Sequence, residues 1–245
     1  MFLINYFTNN NESSMSQQVQ AQGNKKQIIE LEKNTIWVVK NVLTPEQCQK
    51  YIEFSEKQGY EKAGITVGEN QYVMMEDVRN NTRVIYDDKQ WAEELFQLVK
   101  DYLPCSTAVL PRCASSMKNF DLVGLNERWR FYKYDAGQTF KPHYDGCFAR
   151  PNVYDNDTVQ EERSFLTLIF YLNNVTTGGE TKFYEEAFKA GIKTKHIVQP
   201  KCGDILVFSH NILHEGAPIP DDSKETKYVL RTDVMFRRVS KKAAK

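Results

Sequence analysis

From Asn126 onward the side chains alternate in character at every second position, and this period constrains the fold more than any other feature of the 245-residue sequence. Trp129, Phe131 and Lys133 alternate with Arg130, Tyr132 and Tyr134. Phe165-Leu166-Thr167-Leu168-Ile169-Phe170-Tyr171-Leu172 is almost continuously apolar, as a strand covered on both faces requires. Ile205 to Phe208 and Tyr228 to Phe236 follow in the same manner. Strands at this spacing, separated by glycine-bearing turns, predict a two-sheet jelly roll, a double-stranded β-helix.

Upstream the period changes. Ile36-Trp37-Val38-Val39 predicts a strand, and Thr44-Pro45-Glu46-Gln47 combines an N-cap threonine, a proline at the first helical position and a capping-box glutamine. The helix that starts there carries Cys48, Tyr51, Ile52 and Ser55 on one face and stops at Gly59. Asp87 or Asp88 caps a second helix with a stripe of Trp91, Leu95, Leu98, Val99 and Tyr102, ending before Pro104. The expected fold is mainly β with α, in one domain over 28–238: a helical N-terminal part (28–125) supporting a jelly-roll core (126–238). Residues 1–27, rich in Asn, Gln and Ser, are expected to be a disordered tail, and 239–245 a short basic one. The polar stretch between Gly146 and Ser164, with Pro151, reads as a lid rather than a hairpin.

Charge narrows the function classes. Lysine plus arginine equals aspartate plus glutamate at 32 each, so no net field draws the protein to nucleic acid or to anionic membranes. No apolar run approaches membrane-spanning length, and Met1 to Phe7 lacks a basic n-region and a small-residue cleavage site. The five cysteines include no C-x-x-C pair, which predicts reduced thiols and argues against a structural zinc. Cytoplasm or nucleus is the expected location.

The chemistry starts at His143-Tyr144-Asp145. Residues two apart on a strand point to the same face, so this histidine and aspartate can close on one ion from one side. Two imidazoles and one carboxylate leave a face of the metal open, which suits non-haem Fe(II). His210 and His214, after the strand Ile205 to Phe208, are the candidates for the second imidazole.

Only His214 lies in a further pattern, Leu213-His214-Glu215-Gly216-Ala217-Pro218. Together with His143-x-Asp145, Tyr134-x-x-Gly137, Tyr171-Leu172-Asn173, Gly178-Gly179-Glu180-Thr181 and Lys227-Tyr228, it makes the sequence resemble the Fe(II)/2-oxoglutarate dioxygenases, in particular their prolyl 4-hydroxylase-like branch. The resemblance spans Ile36 to Arg238 and implies a cupin-like barrel. It implies Fe(II) on His143, Asp145 and His214, with 2-oxoglutarate and O2 as co-substrates and ascorbate as reductant. It makes His210 a neighbouring polar residue and His196 a surface one. Lys227, opening the last core strand before an aromatic residue, matches the family's anchor for the far carboxylate of 2-oxoglutarate. Arg231, on the same strand face, resembles a second cation that some members aim at the metal-side carboxylate. Tyr171 is implied as a phenol partner of the far carboxylate, Tyr132 and Tyr134 as pocket walls, and Thr181 as a residue facing the co-substrate. The family usually places its basic residue about ten positions beyond the distal histidine, which here is Lys224, in a polar turn.

The implied reaction hydroxylates prolyl residues in a protein or peptide, with release of succinate and CO2. Hydroxylation of a free amino acid or other small molecule is the alternative within the enzymes, and a non-catalytic jelly-roll binding module the alternative outside them. Asp145 occupies the position a halide would need, so halogenation is not expected. A surface turn explains the cluster Arg79-Asn80-Asn81-Thr82-Arg83 before the strand Val84-Ile85-Tyr86; its alternative role makes Arg79, Asn81 and Arg83, with Arg130, the candidate substrate contacts.

Overall fold

The computed structural model describes residues 26–68, 71–155, 158–187 and 191–239; the expected tails lie almost wholly outside these. The elements run β1 (Ile28–Glu32), β2 (Ile36–Val39), α1 (Pro45–Gln58), β3 (Glu61–Lys62), β4 (Ile65–Gly68), β5 (Gln71–Val73), β6 (Thr82–Asp87) and α2 (Lys89–Val99). After short 3-10 turns come β7 (Phe120–Leu125), β8 (Arg128–Tyr134), β9 (Phe140–His143), β10 (Ala149–Asp155) and β11 (Thr158–Tyr171). The last elements are β12 (Thr181–Ala187), β13 (Gly191–Val198), β14 (Ile205–Ser209), β15 (His214–Gly216) and β16 (Lys227–Arg238).

Two antiparallel sheets form the jelly roll. The larger runs β1-β2-β14-β11-β16-β8-β6-β3, with β10 also on β11 and β7 also on β16; the smaller runs β13-β12-β15-β9. The period of two decides what each face of the larger sheet meets. Trp37, Val39, Trp129, Phe131, Leu166, Leu168, Phe170, Ile205, Val207 and Leu230 point outward and pack with Cys48 of α1 and Ala92, Leu95 and Val99 of α2. Their neighbours Ile36, Val38, Tyr132, Tyr134, Tyr171, Leu206, Phe208 and Val229 point inward against Phe183 and Val198 of the smaller sheet. Both faces are therefore buried, as the apolar strands demand. Polar residues of inward parity, Thr167, Lys227 and Arg231, are carried between the sheets by the same alternation.

Both helices start as their sequences require. The Gln47 amide donates to Thr44 Oγ1 (3.2 Å) while Gln47 Oε1 accepts from the Thr44 amide (2.8 Å), completing the capping box. Asp88 caps α2 by accepting from the Trp91 amide at 2.9 Å.

In two places the structure departs from the sequence reading. Beside the expected strands β2 and β6, the segment 28–125, otherwise expected to be helical, also supplies β1, which pairs with β2, and β7, which pairs with β16. Sheet edges present unpaired amides and carbonyls, and these strands cover them. β1 is exposed to half-buried and β7 mostly half-buried, so neither left a clear apolar pattern. The stretch expected as a lid is instead a hairpin, with β10 paired to β11 from Ala149↔Arg163 to Asp155↔Thr158. The register shifts between Arg150 and Val153, where Pro151 lies. Proline has no amide to donate, and a bulge on an edge strand tolerates that.

Gly178 and Gly179 link β11 to β12 with φ of 71° and 65°, and a Cβ on Gly178 would stand 2.5 Å from the Pro218 carbonyl oxygen. Gly178→Ala is expected to destabilise the fold by about 2 kcal/mol or more through strain and that contact. Gly124→Ala, where a Cβ meets nothing within 4 Å, should be close to neutral. Urea unfolding of the two variants checks the difference.

Candidate active site

His143 and His214 face each other because β9 and β15 are antiparallel neighbours in which these two residues are register partners. Their ring centroids lie 4.3 Å apart. The pairing extends past β9 through the Asp145 amide, which donates to the His210 carbonyl at 3.1 Å and turns the aspartate toward both rings. One ligand atom from each of His143, Asp145 and His214 lies within 4.8 Å of the others, a spacing that could hold a metal ion.

Protonation suits a cation. Each histidine directs Nδ1 at a backbone carbonyl, His143 at Lys141 (2.8 Å) and His214 at Ile212 (2.9 Å). A carbonyl only accepts, so Nδ1 carries the hydrogen and Nε2 keeps its lone pair for a metal. Burial, then the neighbouring His214, pushes His143 down to about 3, and burial also lowers His214, so both rings are neutral at physiological pH. Burial would raise Asp145, but Arg231 and then the histidines outweigh it and hold the carboxyl well below its usual range. Two neutral imidazoles and one ionised carboxylate fit a divalent first-row cation such as Fe(II).

An ordered chain of hydrogen bonds stands behind the carboxylate. Thr167 Oγ1 donates to Asp145 Oδ2 at 2.5 Å, and with its only hydrogen thus used it accepts from His210 Nδ1 (3.0 Å) and Arg231 Nη2 (3.3 Å). His210 Nε2 then accepts from Ser164 Oγ (2.9 Å), which accepts from the Phe148 amide (2.8 Å). Both His210 nitrogens are occupied and the ring is 6% exposed, so it acts behind the site. Arg231 Nη2 also meets Asp145 Oδ1 at 3.0 Å and Asp233 Oδ1 at 3.2 Å.

A cavity leads inward from the triad, walled by Tyr132, Tyr134, Ile169, Thr181, Lys227 and Val229 among others. Lys227 is 2% exposed with Nζ 5.0 Å from the centre of the Tyr134 ring, and no carboxylate among the described residues is within ion-pair distance. Burial pushes it down to about 7, with Glu180 opposing weakly. Lys224 is exposed. A buried ammonium without a paired anion is costly unless a ligand supplies one.

Residues 129–232, from Trp129 to Thr232, match the family model described as the 2OG-Fe(II) oxygenase superfamily. The matched segment holds the whole of the candidate triad, from β8 to β16. Among curated relatives, a probable prolyl 4-hydroxylase of Arabidopsis thaliana is 38% identical over 84 residues, covering 34% of this chain and 24% of its own length. The chain spans less than two thirds of each such relative cited by this match and its companions. Among solved structures, a Pseudomonas putida prolyl-4-hydroxylase superposes with a TM-score of 0.54 at 16% identity, covering 82% of this chain and 92% of that one. A Trichoplax adhaerens prolyl hydroxylase in complex with a hypoxia inducible factor peptide fragment gives 0.52 at 14%, covering 82% and 83%. These structures share the fold.

The remaining sequence candidates divide. Thr181 lines the cavity, whereas Tyr171 is fully buried one step behind it, its hydroxyl 2.8 Å from Thr181 Oγ1. Tyr132 lines the cavity between cations, and although burial raises its phenol, Arg79, Arg231 and Arg130 bring it down to about 8. Arg130 is committed to Asp233 at 3.3 Å. Arg79 and Asn81 do not form a surface turn: they are 5% and 0% exposed, because the segment packs along β9. Arg83 is half-buried on β6 opposite Tyr132. Cys147 takes no part in the triad and donates to the Ser164 carbonyl. The Thr167–His210–Ser164 chain escaped the sequence reading because no spacing rule links three separate segments.

His143→Ala, Asp145→Ala and His214→Ala are each expected to abolish tight binding of Co(II). Thr167→Val keeps the shape but removes the hydroxyl that orients Asp145, and should weaken binding about 10- to 100-fold, with His210→Ala acting in the same direction. Calorimetric titration with Co(II) measures all five.

Proposed function

We propose that the protein is an Fe(II)- and 2-oxoglutarate-dependent dioxygenase that hydroxylates prolyl residues of a protein or peptide. Per turnover, 2-oxoglutarate and O2 become succinate and CO2 with one oxygen atom inserted into the substrate C–H bond, the co-substrate and the C–H bond each giving two electrons to O2; ascorbate is not consumed in this step and serves to return oxidised iron to Fe(II). The observation that carries the reading is a three-ligand cation site and a buried, unpaired lysine on the walls of one cavity. The relatives named as probable prolyl 4-hydroxylases and the peptide-bound neighbour support the prolyl substrate.

When bound, iron with 2-oxoglutarate supplies the oxidising power. The side chains do the rest. Lys227 receives the far carboxylate, replacing a missing counter-ion by a charge-assisted hydrogen bond. Thr181, oriented by Tyr171, offers a hydroxyl beside it, and Tyr134 walls the ammonium from water. Arg231 is the second cation, placed beside the triad where the metal-side carboxylate would lie. Asp233 and Arg130 hold it from behind. Ile169 and Val229 keep the cavity apolar between these polar ends.

The decisive assay supplies the anaerobically purified protein with Fe(II), ascorbate, 2-oxoglutarate and proline-containing peptides, and scores succinate together with a peptide mass gain of one oxygen. Turnover on free amino acids but not on peptides would move the substrate class, and binding without succinate would mark a non-catalytic module. Lys227→Ala should lose about 2–5 kcal/mol of 2-oxoglutarate affinity, measured with Zn(II) in place of iron, while Lys224→Ala should lose almost none.

The affinity should also depend on pH. Below about 7 the free protein already carries the Lys227 ammonium, so 2-oxoglutarate binds without proton uptake. Above that value the free lysine is neutral and binding must take up a proton, so Kd is expected to weaken about tenfold per pH unit until the pH reaches the raised pKa of the complex. Calorimetry in buffers of different ionisation enthalpy reads the proton directly.

A further inference from the structure

We propose that Arg79, Asn81 and Phe140 are positioning residues that fix the plane of the His143 ring, and that Arg79 and Asn81 do not contact substrate. The proposal rests on the assignment of His143, Asp145 and His214 to the metal.

The two histidines are supported unequally. His214 is buried in the inner core, with the Phe208 ring at 4.5 Å and the Phe183 ring at 6.1 Å. His143 is the more exposed, its side chain 18% accessible against 6%, and sits on β9 at the edge of the smaller sheet. An imidazole turns about a soft torsion, so a ligand on an edge strand needs a wall to present Nε2 in one direction. Phe140 is that wall, stacked on His143 at 3.5 Å with 16° between the planes.

Phe140 is in turn held by the Arg-Asn-Asn segment. The Arg79 guanidinium carbon lies 4.3 Å from the Phe140 ring centre and 4.6 Å from that of Tyr132. Arg79 Nε donates to Asn81 Oδ1 at 2.8 Å, and Asn81, fully buried, donates from Nδ2 to the Thr82 carbonyl at 2.8 Å. Nη2 of Arg79 is buried with no hydrogen-bond partner. Arg79 is not among the residues that line the cavity, and aromatic faces supply the negative potential that a desolvated guanidinium needs. The segment also closes the free edge of β9. Arg79 forms a bridge to Phe140, the Lys141 amide donates to the Val78 carbonyl (2.9 Å), and the Thr139 amide donates to Asn80 Oδ1 (2.7 Å). The resulting column runs from Asn81 through Arg79 and Phe140 to His143.

The test is Co(II) titration of the full chain with its visible absorption spectrum, beside the metal-free melting temperature and the KM for a proline-containing peptide at saturating iron. Arg79→Ala, Asn81→Ala and Phe140→Leu should weaken Co(II) binding about 10- to 100-fold and alter the spectrum, with KM within about twofold of wild type. Phe140→Tyr should bind as wild type and Arg79→Lys fall between. If Arg79→Ala does not fold, Phe140→Leu against Phe140→Tyr decides. Unchanged Co(II) affinity and spectrum in Arg79→Ala with a raised KM would make Arg79 a substrate contact and overturn the proposal. Binding that survives His143→Ala in the otherwise native protein would overturn the ligand assignment, and this proposal with it.

Discussion

An ionised carboxylate between two sheets is the constraint on which the rest of this structure depends. Burial alone would protonate Asp145, so the fold surrounds it with Arg231, the Thr167 hydroxyl and two imidazole edges. Each compensating group needs its own support: Asp233 balances Arg231 and is itself paired with Arg130, and His210 and Ser164 order Thr167. The network reaches from β8 to β16 and back to the turn before β10, and within it Arg231 Nε is left buried without a hydrogen-bond partner among the described residues.

The larger sheet makes room for that network by being covered twice. Its outward parity packs on α1 and α2, so its inward parity is free to carry Lys227, Arg231 and Thr167 without loss of the core. The same parity separates the two ends of the cavity. At one end cations and the triad lie together; at the other a lysine waits for an anion beneath an aromatic ring. A dicarboxylate would meet both requirements at once.

The smaller sheet is the weaker partner and is held from outside. Its edge strand β9 carries His143, and backbone bonds from Val78 to Asn80 tie that edge to a segment far upstream. The hairpin β10–β11 plays a comparable part for the larger sheet by continuing the pairing of β11 beyond Ser164.

The sequence by itself determined the elements whose causes are local. The capping box at Thr44, the Asp88 cap, the glycine turn at Gly178 and the parity of β8, β11, β14 and β16 are readable because neighbours along the chain dictate them. Lys227 stands inside while Lys224 stands outside because only the former has strand parity; Asp145, by contrast, lies past the end of β9 and is turned to His143 by its amide bond to the His210 carbonyl. Tertiary structure alone decided the rest. It made His143 and His214 register partners, set Tyr171 behind Thr181, buried Arg79 and Asn81 along β9, and assembled Thr167, His210 and Ser164 behind Asp145. These contacts join segments that pair only after the sheets close, and hydrogen-bonding side chains brought together by register leave no period in the sequence that could announce them.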